Sequence, residues 1–114
     1  MKRVQMETDY KVATDSVKLS IVIGDAQIGS SLVLLDQSEL GRGEINAVAV
    51  GAGPQIRGKT LSVKSVVTDV NDATNHTSIT YRLSGGAADQ AFSQRATVDA
   101  EGDSVIYKAT IHLV

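Results

Sequence analysis

The chain has no cysteine, no tryptophan, one proline and one phenylalanine among its 114 residues. The absence of cysteine excludes disulfide bridges, thiolate nucleophiles and cysteine-ligated zinc or iron–sulfur sites. Aromatic residues make up 4% of the chain, whereas hydrophobic residues as a whole make up 42%. A core of ordinary size can therefore form without covalent staples, and it must be packed mainly by Val, Ile and Leu.

A strong net charge is also missing, since the formal net charge is -2 and the isoelectric point is about 5.6. The lysines and arginines are scattered along the chain and do not cluster with aromatic residues. A nucleic-acid surface normally needs a basic patch that neutralises phosphates. We therefore expect no nucleic-acid partner.

No apolar run is long enough to span a bilayer, so no membrane span is expected. The start, Met1 to Glu7, is basic but is not followed by an apolar run, so no secretory signal is visible. A cytoplasmic location is the expectation for the chain as it stands. The length fits one domain of ~100–150 residues, which predicts a single domain over residues 1–114.

What the chain does have is an alternation of apolar and polar residues with a period of two, the pattern of half-buried strands. The apolar positions of its clearest runs are Val17, Leu19, Ile21, Ile23, then Leu61, Val63, Val67, then Ile79, Tyr81, Leu83, and finally Val105, Tyr107, Ala109, Ile111 and Leu113. Breaks follow every ~8–12 residues. This predicts an all-β, single-domain antiparallel β-sandwich, immunoglobulin-like or a similar Greek key, of about seven to nine strands. The tyrosines are predicted to lie in its core.

Glycine and polar clusters predict the connections between these strands. Gly24-Asp25 suits a two-residue hairpin turn, and Ala100–Asp103 suits a second hairpin. Thr60–Ser84 is predicted to be a pair of strands joined by a polar turn. Gly51–Pro54, which holds the only proline, is predicted to cross from one sheet to the other. A helical turn is predicted only within Ala87–Gln94.

The turn between the strands of Thr60–Ser84 is the densest group of side-chain oxygens in the chain. Asp69, Asn71, Asp72 and Asn75 offer hard oxygen ligands of the kind that calcium prefers. The segment Asp69–Asp72 is similar to the calcium-binding linker motif of cadherin repeats, although Ala73 stands where that motif continues with Asn. These four residues are the candidate calcium site. A plain turn is the alternative, because Asp and Asn side chains hydrogen-bond nearby backbone.

No arrangement of residues indicates catalysis, so we expect no enzyme activity and, apart from this calcium ion, no cofactor. His76 falls in the polar turn, and His112 is predicted to face solvent. No serine stands in a Gly-x-Ser-x-Gly elbow, and a triad would need a nucleophile, base and acid that converge.

The function best favoured is a non-catalytic protein-interaction or structural module that binds a protein partner or self-associates. It would serve as an adhesion or scaffold module, or as a subunit of a larger assembly such as a phage tail or secretion apparatus. The alternative is a ligand-binding module in which the end loop Asp69–Thr77 holds calcium or a small sugar.

Overall fold

A computed structural model describes all residues from Met1 to Val114, and it contains nine strands and one helical turn. The strands are β1 (Lys2–Tyr10), β2 (Ser16–Ile23), β3 (Ile28–Leu35), β4 (Ser38–Gly43), β5 (Val48–Ala52), β6 (Thr60–Thr68), β7 (His76–Ser84), β8 (Gln90–Thr97) and β9 (Ser104–Leu113). The helical turn α1 (Gly53–Ile56) lies between β5 and β6.

The nine strands form two sheets that pack face to face. The five-stranded sheet has the order β1-β9-β6-β3-β4, and the four-stranded sheet has the order β5-β2-β7-β8. All neighbouring strands run antiparallel except β1 and β9, which are parallel. The predicted β-sandwich is therefore confirmed, with nine strands.

The inner faces of both sheets close over one core cluster of 21 residues, most of them Val, Leu and Ile. Tyr10, Tyr81 and Tyr107 are its only aromatic members and are at most 1% exposed. Their hydroxyls make internal hydrogen bonds; for example, the Tyr107 hydroxyl lies 2.5 Å from Thr77 Oγ1 of the other sheet. The prediction that the tyrosines lie in the core is confirmed.

Two predicted hairpins are wrong, because the strands on either side of each turn belong to different sheets: Gly24-Asp25 joins β2 to β3, and Ala100–Asp103 joins β8 to β9. The predicted pair of strands in Thr60–Ser84 is confirmed as β6 and β7, which lie in different sheets. The strands themselves are where the alternation predicts them. Alternation reports which face of a strand is buried, and two strands in opposite sheets share that property with two strands in one hairpin.

Gly24 leaves room for the Ser78 side chain of β7 and does not form a hairpin turn. A Cβ at this position would lie 2.1 Å from Ser78 Oγ, and the Gly24 N–H donates to the Ser78 carbonyl at 3.0 Å. The left-handed backbone conformations of this corner fall instead on Asp25 and Ala26, with φ of 59° and 56°.

The predicted helical turn within Ala87–Gln94 is also wrong, because residues from Gln90 onward form strand β8. Its inward positions are Phe92, Gln94 and Ala96, which alternate with exposed residues. Gln94 is buried at 7% exposure. Because its side chain is polar, the alternation of apolar and polar residues in β8 could not be seen in the sequence. The Gln94 side chain is satisfied inside by donating to the Lys108 carbonyl at 3.0 Å and to the Tyr81 hydroxyl at 3.1 Å.

The crossing predicted at Gly51–Pro54 is confirmed, since β5 lies in the four-stranded sheet and β6 in the five-stranded sheet. The helical turn α1 makes this crossing and was not predicted. Gly53 permits it, because a Cβ there would lie 1.8 Å from the Ala13 carbonyl oxygen. No helix of the chain has the length and hydropathy that crossing a membrane requires.

Candidate functional site

Three connections meet at one end of the sandwich, which we call the loop end: residues 24–27, 69–75 and 98–103. Backbone hydrogen bonds tie them together. The Asp69 N–H donates to the Asp103 carbonyl at 2.9 Å, and the Asp69 carbonyl accepts from the Gly102 N–H at 2.9 Å. The Val98 N–H donates to the Asn75 carbonyl at 3.0 Å. The candidate calcium residues thus lie in a loop that is fixed at both of its ends.

Gln27 anchors the middle of this loop from inside the protein, where it is 6% exposed. Its Oε1 accepts hydrogen bonds from the Val70 and Asn71 N–H groups at 2.7 and 2.9 Å. Its Nε2 donates to the His76 carbonyl at 3.0 Å. One buried amide therefore satisfies backbone donors and an acceptor that the folded loop would otherwise leave unpaired.

Asp69 is the most unusual residue of the loop end. It continues the inward parity of β6 after Val63, Ser65 and Val67, and it is 0% exposed. Neither of its carboxylate oxygens has a hydrogen-bond partner, and no lysine or arginine forms an ion pair with it. Buried carboxylates are normally paired, hydrogen-bonded or bound to a metal ion.

The other three candidate ligands are placed differently. The Asn71 side chain is half-buried; its Nδ2 donates to the Asp25 carbonyl at 2.9 Å and its Oδ1 accepts from the Ala73 N–H at 3.1 Å. Asp72 and Asn75 are exposed. No group of three or more His, Asp or Glu side chains converges at a point suited to a metal ion. A cation at this loop would need amide and main-chain oxygens besides the Asp69 carboxylate.

A polar cleft of about 470 Å³ opens beside the loop, along the junction of β7 and β8. Asp25, His76 and Arg95 contribute its ionisable groups. His76 begins strand β7 rather than lying in the turn, and its Nδ1 lies 3.0 Å from Thr97 Oγ1. The cleft offers hydrogen-bonding groups of both kinds, which is the chemistry that a small polar ligand such as a sugar would need.

His112 lies on the outer face of the five-stranded sheet, whereas His76 belongs to the four-stranded sheet. Its Nε2 is 2.5 Å from Glu7 Oε2, and its Nδ1 is 3.5 Å from Thr60 Oγ1. The side chain is 40% exposed, which agrees with the prediction that it faces solvent. The pair links β1 to β9 at the surface.

Five apolar side chains on the outer face of the five-stranded sheet form a feature that was not predicted. We call this set the outer patch: Ile28, Leu32, Leu34, Val66 and Ile106. Val66 faces Ile106 directly across β6 and β9, and it lies diagonally between Ile28 and Leu32 of β3. Ile28 is 60% and Val66 is 38% exposed.

A signal for the outer patch was present in the sequence. Leu32 to Leu35 is apolar at every position, and Val66 adjoins Val67. Such runs indicate a strand that is covered on both faces. The structure covers only one face with its own chain, so Ile28 and Val66 remain exposed and Leu32 and Leu34 half-buried, whereas neighbouring side chains leave Ile106 only 9% exposed.

Comparison of the chain with protein-family models, with curated proteins and with solved structures gave no match.

Proposed function

We propose that this chain is a non-catalytic structural module that associates with a second copy of itself through the outer face of the five-stranded sheet. The observation that carries the proposal is the outer patch. A sandwich normally presents polar residues on the outer face of each sheet. Contiguous apolar residues on such a face, with a polar rim, are typical of surfaces that another protein covers.

The charges around the outer patch support a homotypic contact. Arg3, Lys64 and Lys108 form a basic group beside Val66 and Ile106. Lys64 and Lys108 stand directly opposite each other on neighbouring strands, an unfavourable arrangement for two like charges. A carboxylate brought by a partner would relieve this repulsion.

The same face carries two carboxylates on β1; Glu7 already pairs with His112 at 2.5 Å, which leaves Asp9 to supply this carboxylate. Glu7 and Asp9 project from β1, with Asp9 opposite His112 and Gln5 opposite Lys108. The acidic end and the basic group are thus about 13 Å apart along the strands, at a rise of ~3.3 Å per residue. The outer face thus carries charges of both signs, so two copies that meet on it can pair a lysine of one with a carboxylate of the other, as an isologous contact requires.

Sedimentation velocity of the full chain from micromolar to millimolar concentration tests the proposal. We expect the wild-type protein to associate reversibly, with a dissociation constant of about 1 mM or below. Val66→Glu should weaken this association by about tenfold or more, because it buries a charge in the apolar centre of the contact. A wild-type protein that stays monomeric over the whole range would refute the homotypic contact.

The four-stranded sheet offers a matched control. Val22 lies on its outer face and is 46% exposed, against 38% for Val66. Val22→Glu introduces the same charge at the same residue type and should leave association unchanged. Equal weakening by both variants would show that the effect comes from net charge and not from the outer patch. Added salt should weaken the wild-type contact, since its rim depends on opposite charges.

A further inference from the structure

We infer that the loop end binds a hard divalent cation, Ca²⁺, with the buried carboxylate of Asp69 as its charged ligand. The inference is separate from the proposed self-association, which uses the outer face of a sheet and not the end of the sandwich. It starts from the two carboxylate oxygens of Asp69, which have no partner although the residue is 0% exposed.

A carboxylate in this position needs a positive charge or hydrogen-bond donors. Nearby donors are already committed: the Val70 and Asn71 N–H groups go to Gln27, and the Gly102 N–H goes to the Asp69 carbonyl. The protein's ion pairs, Arg42 with Glu39 and His112 with Glu7, do not include Asp69. The carboxylate therefore has no partner within the protein, and a cation from solution can supply one.

The chemistry around Asp69 favours calcium among the cations. The loop that follows it presents the side-chain oxygens of Asn71, Asp72 and Asn75 within six residues. Such donors are oxygens throughout, which suits a hard cation and does not suit zinc or copper. Asn71 Oδ1 accepts one hydrogen bond, from Ala73, and keeps a second lone pair for a metal ion.

The loop is also held in one arrangement before any ion arrives. Gln27 fixes its middle, and the backbone bonds of Asp69 and Asn75 fix its two ends. A preformed loop lowers the ordering cost of binding, while the exposed Asp72 and Asn75 remain free to turn toward an ion.

Thermal unfolding of the full chain in millimolar CaCl₂ and in chelator tests the site, with MgCl₂ at equal ionic strength as the control for screening. A ligand that binds only the folded state raises its unfolding midpoint as concentration increases. We expect calcium to raise the midpoint of the wild-type protein and Asp69→Asn to need about tenfold or more calcium for the same rise, because the variant loses the charged ligand.

Asp99→Asn is the matched control variant. Asp99 is exposed in the neighbouring loop, and the substitution removes the same charge as Asp69→Asn. It should keep the calcium response of the wild-type protein. Asp69→Asn is close to isosteric and removes an unpaired buried charge, so it should fold. The inference is overturned if calcium leaves the wild-type midpoint unchanged, if magnesium raises it equally, or if Asp69→Asn responds like Asp99→Asn.

Discussion

The outer faces of the two sheets differ, although the strands that form them follow the same alternation. The four-stranded sheet turns small polar side chains outward, such as Ser20, Thr80 and Ser93, and Val22 is its only large exposed apolar residue. Thr80 and Ser93 bond to each other at 2.9 Å. The five-stranded sheet presents the outer patch instead. A face that satisfies its own polar groups needs nothing further, whereas a face of partly exposed Ile, Leu and Val gains from being covered.

The inner faces do not show this difference, because they belong to one shared core. Hydrogen bonds cross between the sheets there, from Gln94 to the Lys108 carbonyl and between Thr77 and the Tyr107 hydroxyl. The inner face therefore determines folding for both sheets, and the outer faces alone can give them different roles. Substitutions on the two faces of one strand should separate these contributions.

The largest expected effect is on the inner face of β6. Leu61 is 0% exposed, and Leu61→Ala should lower the free energy of unfolding by about 2–5 kcal/mol, because it leaves a cavity between the sheets. Val66→Ala, on the outer face of the same strand, should cost about 1 kcal/mol or less in the monomer. Urea unfolding at low protein concentration measures both. Similar costs for the two would mean that the outer patch is packed as tightly as the core.

The next effect concerns the ionisation of a core tyrosine on the four-stranded sheet. Burial raises the pKa of Tyr81 to about 12, and the hydrogen bond from Gln94 offsets part of the shift. Since the folded pKa lies above the unfolded value of about 10, the stabilising contribution is complete below pH 10 and is lost as the pH rises through 12. A shift of two units corresponds to about 3 kcal/mol.

Tyr81→Phe isolates this contribution, because it keeps the ring and leaves Gln94 bound to the Lys108 carbonyl. The free energy of unfolding should fall less steeply between pH 9 and about pH 12 in the variant than in the wild-type protein. Some dependence should remain, since burial also raises the pKa of Tyr10 and Tyr107. Parallel pH profiles for the two proteins would show that Tyr81 ionises as freely in the fold as in the unfolded chain.

These inner-face positions were predictable because a period of two fixes which side chains turn inward. Leu61 and Tyr81 could be assigned to the core from their neighbours alone. The partner of each strand could not be assigned, because both sheets bury the same kind of face. The two strands of Thr60–Ser84 could therefore be predicted, but not that β6 and β7 lie in opposite sheets.

The candidate site was predictable only in part. The oxygen-rich loop could be located from Asp69, Asn71, Asp72 and Asn75, but its support by Gln27 could not, because nothing in the local pattern marks a glutamine that bonds a loop 43 residues away. The burial of Asp69 had a usable signal. It stands two residues after Val67, so the alternation of β6 predicts that its side chain points inward. An inward carboxylate at the end of a strand is a candidate for a functional site.

The smallest expected effect tests the charges around the outer patch. Lys64 faces Lys108 across β6 and β9, so Lys64→Glu replaces a like-charge pair by an opposite one. The free energy of unfolding of the monomer should rise by about 0.2–1 kcal/mol at low salt, and the gain should shrink in high salt. Arg82→Glu on the four-stranded sheet is the control, because Arg82 faces the uncharged Ser20 and Ala91 and should give almost no change.

Lys64→Glu should weaken self-association although it stabilises the monomer. The substitution removes a positive charge that the acidic end of a second copy would meet. A variant that is more stable as a monomer yet associates less would indicate that the Lys64–Lys108 repulsion is kept for binding and not for folding. If Lys64→Glu instead associates as strongly as the wild-type protein while Val66→Glu does not, the contact depends on the apolar centre alone. The basic group would then have no part in distinguishing the two outer faces.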